Sequence, residues 1–71
     1  MSYWGPRTES RNVFSLEREG HHVAVFEHEH GYTVRLYVGS HWEDASAGTL
    51  TEAKALARTR LRRYVESRRS R

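Results

Sequence analysis

Residues 12–38 read NVFSLEREGHHVAVFEHEHGYTVRLYV, and this stretch decides the fold. Apolar and β-branched residues alternate with polar ones in three segments, which is typical of strands that bury one face. A polar residue followed by glycine separates the segments at 19–20 and again at 30–31, and such pairs favour two-residue hairpin turns because glycine accepts positive φ. The predicted strands are 12–18, 21–29 and 32–38. The stretch therefore predicts a three-stranded antiparallel meander.

The pairings implied by the two turns support each other. The first turn places Phe14 opposite Val25, and the second places Val25 opposite Leu36. Residues that lie opposite each other share a face, and a shift of one residue in either hairpin would scatter the apolar side chains over both faces. The predicted buried face consists of Phe14, Leu16, Val23, Val25, Val34, Leu36 and Val38.

The second half of the chain predicts a helix. Thr49-Leu50-Thr51-Glu52 matches a capping box, in which a hydroxyl and a carboxylate satisfy backbone donors of the first turn. Helix-spaced apolar residues follow and predict a helix over 50–67. They are Leu50, Ala53, Ala57, Leu61 and Tyr64. Residues 39–48 are predicted to form a loop, with Trp42 at the edge of the core.

These elements predict a single α+β domain, in which one C-terminal amphipathic helix covers one face of the three-stranded meander. The domain spans 12–67. Residues 1–11 lack periodicity and contain Gly5 and Pro6, which indicates a flexible N-terminal arm. Residues 68–71 form a basic C-terminal tail.

Composition excludes several classes of function. The 71 residues allow one small domain whose core leaves no room for a large cleft. There is no cysteine, which excludes a disulfide framework and thiol catalysis. No serine lies in a nucleophile elbow and no glycine-rich phosphate loop is present, so we expect no enzyme activity and no cofactor. No apolar run approaches 18 residues and no signal peptide opens the chain, which predicts a soluble cytoplasmic protein without membrane contact.

The histidines predict no metal site. Five of the 71 residues are histidine, and His28 and His30 have the i, i+2 spacing that places two side chains on one face of a strand. A zinc site needs three or four converging ligands. No third ligand is apparent, so we interpret these histidines as solvated residues of turns and strand edges.

Charge is distributed unevenly along the chain. Residues 1–53 hold four arginines against eight acidic residues, whereas residues 54–71 hold eight basic residues against Glu66 alone. Such an asymmetry indicates a basic element with an anionic partner, although a surface helix also collects charge for solubility. On a helical wheel, four of the cations fall within about 80° and form a stripe suited to a phosphate backbone. They are Lys54, Arg58, Arg62 and Arg69.

A single helix leaves the other face of the sheet uncovered. This outer face is predicted to carry Val13, Phe26 and Arg35 in one row, and Ser15, Ala24 and Tyr37 in the next. A contiguous apolar patch usually has a use. Three coverings remain open: the arm with Tyr3 and Trp4, a second copy of the chain, or a different partner. The predicted partner or dimer face is Val13, Ala24, Phe26 and Tyr37.

The strands and the helix that opens Gly48-Thr49-Leu50-Thr51-Glu52-Ala53-Lys54-Ala55 resemble the arm-type DNA-binding domain of tyrosine recombinases. The pattern is similar also to the plant ethylene-response-factor type of domain, and the resemblance covers about residues 12–67. It implies that the exposed sheet face enters the major groove. Arg35 would then read bases, with Tyr37 beside it and Arg11 at the entry to the first strand.

The sequence departs from that pattern in its acidic residues. Four glutamates lie on the strands and turns of the sheet, where they repel phosphates. They are Glu17, Glu19, Glu27 and Glu29. The basic helix is therefore the preferred contact surface. We predict a small nucleic-acid-binding accessory protein of phage or bacterial type, with DNA favoured over RNA. The alternative is a protein–protein interaction module that binds a host protein or a second copy through its open sheet face.

Overall fold

The computed structural model describes residues 10–69, which form a four-stranded antiparallel sheet with one helix on one face. The elements are β1 (Arg11–Arg18), β2 (His21–His28), β3 (Gly31–Val38), β4 (His41–Ala47) and α1 (Leu50–Arg69). The sheet order β1-β2-β3-β4 is that of a meander. The predicted α+β class and the C-terminal helix are confirmed, but the predicted count of three strands is wrong. Residues 1–9, with Tyr3 and Trp4 of the predicted arm, lie outside the described residues.

The additional strand is β4, which occupies the segment predicted as a loop. Its sequence HWEDASA consists mostly of residue types that are depleted in strands. It nevertheless pairs with β3 along its whole length, from Val38 opposite His41 to Tyr32 opposite Ala47. The turn residue Gly39 has φ 64°, as the first position of a type II′ hairpin turn requires. Pairing with a buried neighbouring strand therefore overrides the weak propensity of β4.

The first hairpin has the predicted register. Phe14 lies opposite Val25 and Leu16 lies opposite Val23. Both turn residues have positive φ, 53° at Glu19 and 83° at Gly20, which is the pattern of a type I′ turn. This turn matches the right-handed twist of the strands and therefore maintains the register.

The second hairpin differs from the prediction by two residues. Val25 lies opposite Val34 rather than Leu36, because the two turn residues are 29 and 30 rather than 30 and 31. A shift of two residues leaves every side chain on its original face. The predicted buried face is therefore confirmed, although its cross-strand pairs in this hairpin were wrong.

Gly31 is the first residue of β3 and has φ 134°. A Cβ at this position would lie 3.0 Å from the carbonyl oxygen of Ala47 in β4. Glycine is therefore required here by the close approach of the neighbouring strand as well as by its own backbone conformation.

A β-bulge corrects the prediction for Val13. Asn12 lies opposite Phe26, and the next pair is Phe14 with Val25, so Val13 is the extra residue of β1. The bulge redirects its side chain, and Val13 packs against the core instead of lying on the outer face. Asn12 supports the irregular backbone, because its Nδ2 donates to the carbonyl oxygens of Phe14 and Val25 at 3.1 and 3.0 Å.

The core lies between the inner face of the sheet and α1. Its buried residues are Val23, Val25, Val34, Leu36, Val38, Ala53, Ala57, Leu61 and Val65. Phe14 and Leu16 pack against this cluster. The predicted cap is present, since the Thr49 hydroxyl accepts from the Glu52 N–H at 3.1 Å and the Glu52 carboxylate accepts from the Gly48 N–H at 3.2 Å. Within residues 10–69, no helix is long and apolar enough to span a bilayer.

Candidate nucleic-acid interface and the outer sheet face

The basic side chains of α1 divide into paired and unpaired groups. Arg60 faces β4 and donates to Glu43 at 3.3 Å. Arg69, at the end of the helix, pairs with Glu19 in the first turn, to whose carboxylate its Nε and Nη2 both donate. This hydrogen-bonded pairing lowers the pKa of Glu19 and raises that of Arg69. Arg69 of the predicted stripe is therefore engaged within the chain.

Two other cations of the stripe converge on one aromatic ring. The ammonium of Lys54 lies 5.3 Å and the guanidinium of Arg58 lies 5.5 Å from the ring centroid of Phe14 in β1. The negative face of an aromatic ring attracts cations. Within residues 10–69, neither cation has a carboxylate at ion-pair distance. Two cations thus lie against one ring, and within residues 10–69 neither is neutralised by an ion pair, which favours binding of an anion.

The surface beside this pair is also basic. A shallow cleft of about 290 Å³ lies between β1 and α1. Its lining residues are Leu16, Glu17, Arg18, Arg58, Leu61 and Arg62. Three arginines against one glutamate leave it positively charged. We call this surface, together with Lys54, the β1–α1 cleft. Sequence reasoning identified Lys54, Arg58 and Arg62 but missed Arg18, which joins them only because the end of β1 lies beside the helix.

Arg35, the base-reading candidate, lies on the outer sheet face between two aromatic rings. Its guanidinium is 5.5 Å from the Phe26 centroid and 4.7 Å from the Trp42 centroid. It donates two hydrogen bonds to the carboxylate of Asp44, at 2.9 and 3.1 Å. These bonds raise the pKa of Arg35 and lower that of Asp44. The donor edge of Arg35 is therefore occupied by a carboxylate of the neighbouring strand.

Arg35 does not share a row with Phe26 as predicted. The shifted register of the second hairpin places it opposite Ala24, and Phe26 lies opposite Thr33. The Arg35 guanidinium still reaches the Phe26 ring, because diagonal neighbours on adjacent strands lie within reach of a long side chain.

Aromatic side chains extend across the outer face. Trp42 lies opposite Tyr37 with ring centroids 6.4 Å apart, and Tyr37 is 6.5 Å from His22. Trp42 is 52% exposed, so the prediction that it lies at the edge of the core is wrong. The reason is alternation, because pairing with Tyr37 places Trp42 on the face of the sheet away from the helix.

Beside these rings, a groove of about 850 Å³ covers the β1 and β2 side of the outer face and extends around the end of the sheet near Gly20. The outer-face residues that line it are Asn12, Ser15, His22, Ala24, Phe26 and Tyr37. Three of the four residues predicted for the partner face are therefore brought together here, and Val13 is not. Trp42 does not line the groove and lies on the opposite side of the same face.

The histidines make separate contacts. His28 shares a hydrogen bond of 3.0 Å with Thr33, and His21 packs edge-on against Tyr64 at 5.0 Å. Within the described part of the chain, no three histidine or acidic side chains are grouped so that they could hold a metal ion.

No protein-family model matches the chain, and neither the curated proteins nor the solved structures contain a match.

Proposed function

We propose that the protein binds nucleic acid, duplex DNA above all, by placing the β1–α1 cleft against the phosphate backbone. The observation that carries this proposal is the convergence of Lys54 and Arg58 on Phe14, where within residues 10–69 neither cation has a carboxylate at ion-pair distance. Phosphates bound at these cations supply the counter-charge that the described residues lack. Arg18 and Arg62 extend the same positive surface.

The spacing of the cations suits successive phosphates. Lys54, Arg58 and Arg62 follow one another at intervals of four residues, so they lie about 6 Å apart along the helix axis and span about 12 Å. Duplex DNA rises about 3.4 Å per nucleotide of one strand. A row of this length therefore spans about three to four nucleotides of one strand, so each of the three cations can reach a different phosphate.

Contacts of this kind provide affinity without base information. Phosphate contacts fix position and orientation, whereas base edges specify sequence. Within residues 10–69, Arg35 is the one arginine that the strands place on the outer face, and it is paired with Asp44. The proposed binding is therefore largely independent of sequence.

The test compares two charge-matched double variants. Arg58→Gln with Arg62→Gln removes two charges from the cleft, and Arg60→Gln with Arg63→Gln removes two from the other side of the same helix. All four side chains lie outside the buried core. Affinity for a fluorescent duplex is measured by anisotropy across a salt series, with single-stranded DNA and RNA in parallel, and circular dichroism verifies the fold.

We expect the cleft variant to lower the slope of log affinity against log salt by about 1.8, at about 0.9 per lost phosphate contact. The control variant retains most of the slope. Equal losses in both variants would mean that net charge, rather than the cleft, attracts the nucleic acid. Absence of binding to all three probes at about 50 mM salt, where electrostatic attraction is weakly screened, would end the proposal.

A further inference from the structure

We propose that the outer sheet face packs against the same face of a second copy of this chain, with Trp42 of each copy seated at the edge of the groove of the other. This inference is independent of the nucleic-acid proposal, since the groove shares no lining residue with the β1–α1 cleft.

The residue types of this face are those of a protein interface. Aromatic residues and arginine are enriched in interface cores, and lysine is depleted there. The outer face presents Phe26, Tyr37, Trp42 and Arg35, and the only lysine of the chain is on the helix.

Charge on this face favours a protein over a nucleic acid. A nucleic-acid strand needs unpaired cations along its path. Among residues 10–69, Arg35 is the one arginine at the centre of this face, and Asp44 neutralises it with two hydrogen bonds. The pair enters an interface with these donors and acceptors already satisfied, which limits the cost of burying it.

The face is complementary to itself. Its half on the β4 side presents the protruding ring of Trp42, and its half on the β1 and β2 side contains the groove. A two-fold axis parallel to the strands, between β2 and β3, exchanges the two halves. Trp42 of one copy then lies over Glu17 of the other, at the edge of the groove that Ser15 and His22 line. Each copy makes the same contacts, as a closed two-fold interface requires.

The same axis places large residues over small ones. The register aligns Ser15, Ala24, Arg35 and Asp44 in one row across the four strands. Rotation brings Arg35 over Ala24 and Asp44 over Ser15. In the next row it brings Phe26 over Thr33. Alternation of large and small side chains allows two sheets to approach to about 10 Å, the usual separation of packed sheets.

The face is also large enough for a second copy. Four strands about 4.8 Å apart and eight residues long at about 3.3 Å per residue cover roughly 500 Å² in projection. Two such faces enclose roughly 1,000 Å² in projection, which is the lower bound expected of a specific protein–protein interface. One sheet face thus matches another in shape and extent.

The experiment is sedimentation of the purified full-length chain at about 0.5 M salt after nuclease treatment, which prevents bridging by nucleic acid but leaves an apolar interface intact. We expect twice the 8.3 kDa chain mass. Trp42→Ala should weaken the dimer at least ten-fold, because a buried tryptophan at an interface dominates the binding energy. Arg63→Gln, on the exposed side of the helix, is the control and should leave the mass unchanged.

A second variant gives an independent result if Trp42→Ala does not fold. Ser15 is exposed in the single chain, so Ser15→Glu leaves the fold intact while it places a bulky carboxylate against Asp44 of the second copy, whose like charge repels it. It should also weaken the dimer at least ten-fold. A wild-type mass of 8.3 kDa at concentrations up to about 100 μM, well above the micromolar range of weak dimers, would overturn the proposal. A dimer that neither variant weakens would overturn it equally.

Discussion

Replacing Val25 with alanine tests the packing of the sheet against the helix. Val25 is fully buried and lies between Phe14 and Val34 in the neighbouring strands. The substitution removes two carbon groups, whose transfer free energy is about 1.6 kcal/mol at about 0.8 kcal/mol each. An unrelaxed cavity of roughly 50 Å³, at about 24 cal/mol per Å³, adds about 1.2 kcal/mol. We therefore expect a loss of about 1.6–2.8 kcal/mol in the free energy of unfolding.

The assay is urea unfolding followed by far-ultraviolet circular dichroism, at one fixed protein concentration because association shifts apparent stability. Glu17→Ala, an exposed position of β1, is the control and should change stability by less than about 0.5 kcal/mol. The midpoint should fall in Val25→Ala while the slope stays constant. A variant as stable as the control would refute the assignment of Val25 to the core and, with it, the face of the sheet that the helix covers.

Two further predictions concern the β3–β4 hairpin. Gly31→Ala should lower the free energy of unfolding by about 1–3 kcal/mol, measured as a lower Tm, because of the positive φ of Gly31 and the nearby Ala47 carbonyl. Gly20→Ala is the control and should cost less, because the space around Gly20 is open. Equal losses in the two variants would contradict the close approach of β4. Asp44 has a lowered pKa because it accepts hydrogen bonds from Arg35, so its stabilisation is present above the ordinary aspartate pKa and is lost as pH falls through the folded-state value. Since Asp44 is 41% exposed, the difference between wild type and Asp44→Asn should be at most about 1 kcal/mol near pH 7 and shrink as pH falls below the ordinary aspartate pKa. A difference independent of pH would rule out the ion pair as its source.

The first hairpin, the buried face and the helix could be predicted from the sequence because each depends on local signals. Alternation defines which residues share a face, and the Glu19-Gly20 turn fixes which residues lie opposite each other. The second turn was misplaced because Gly31 was taken as its second residue. Gly31 is instead the first residue of β3 and directly follows the turn. Only the approach of β4 shows that Gly31 belongs to the strand.

The candidate site was predictable only where it depends on the helix alone. The positions of Lys54, Arg58 and Arg62 follow from helical periodicity, whereas their relation to Phe14 and Arg18 depends on how the helix crosses β1. Whether the cleft contacts phosphates stays a prediction.

The Arg35–Asp44 pair was missed for a different reason. Residues 39–48 contain only one residue of a type that favours strands, Trp42, and were interpreted as a loop, which hid the fourth strand. Once Gly39 and Ser40 are taken as a two-residue turn, Arg35 falls directly opposite Asp44. The Gly39-Ser40 dipeptide indicates a hairpin turn, but the weak strand propensity of the residues that follow obscured this signal.

The order of the elements has a consequence for folding during synthesis. Each strand pairs with the strand next to it in the chain, so the hairpins form from local contacts, which fold rapidly. The helix that covers the inner face comes after all four strands and is 20 residues long. At about 5–20 residues per second, the ribosome needs about one to four seconds to make it. Until the ribosome releases the helix, a nascent hairpin of β1 and β2 exposes its valines to water, and association with other nascent chains competes with folding until the helix packs on them.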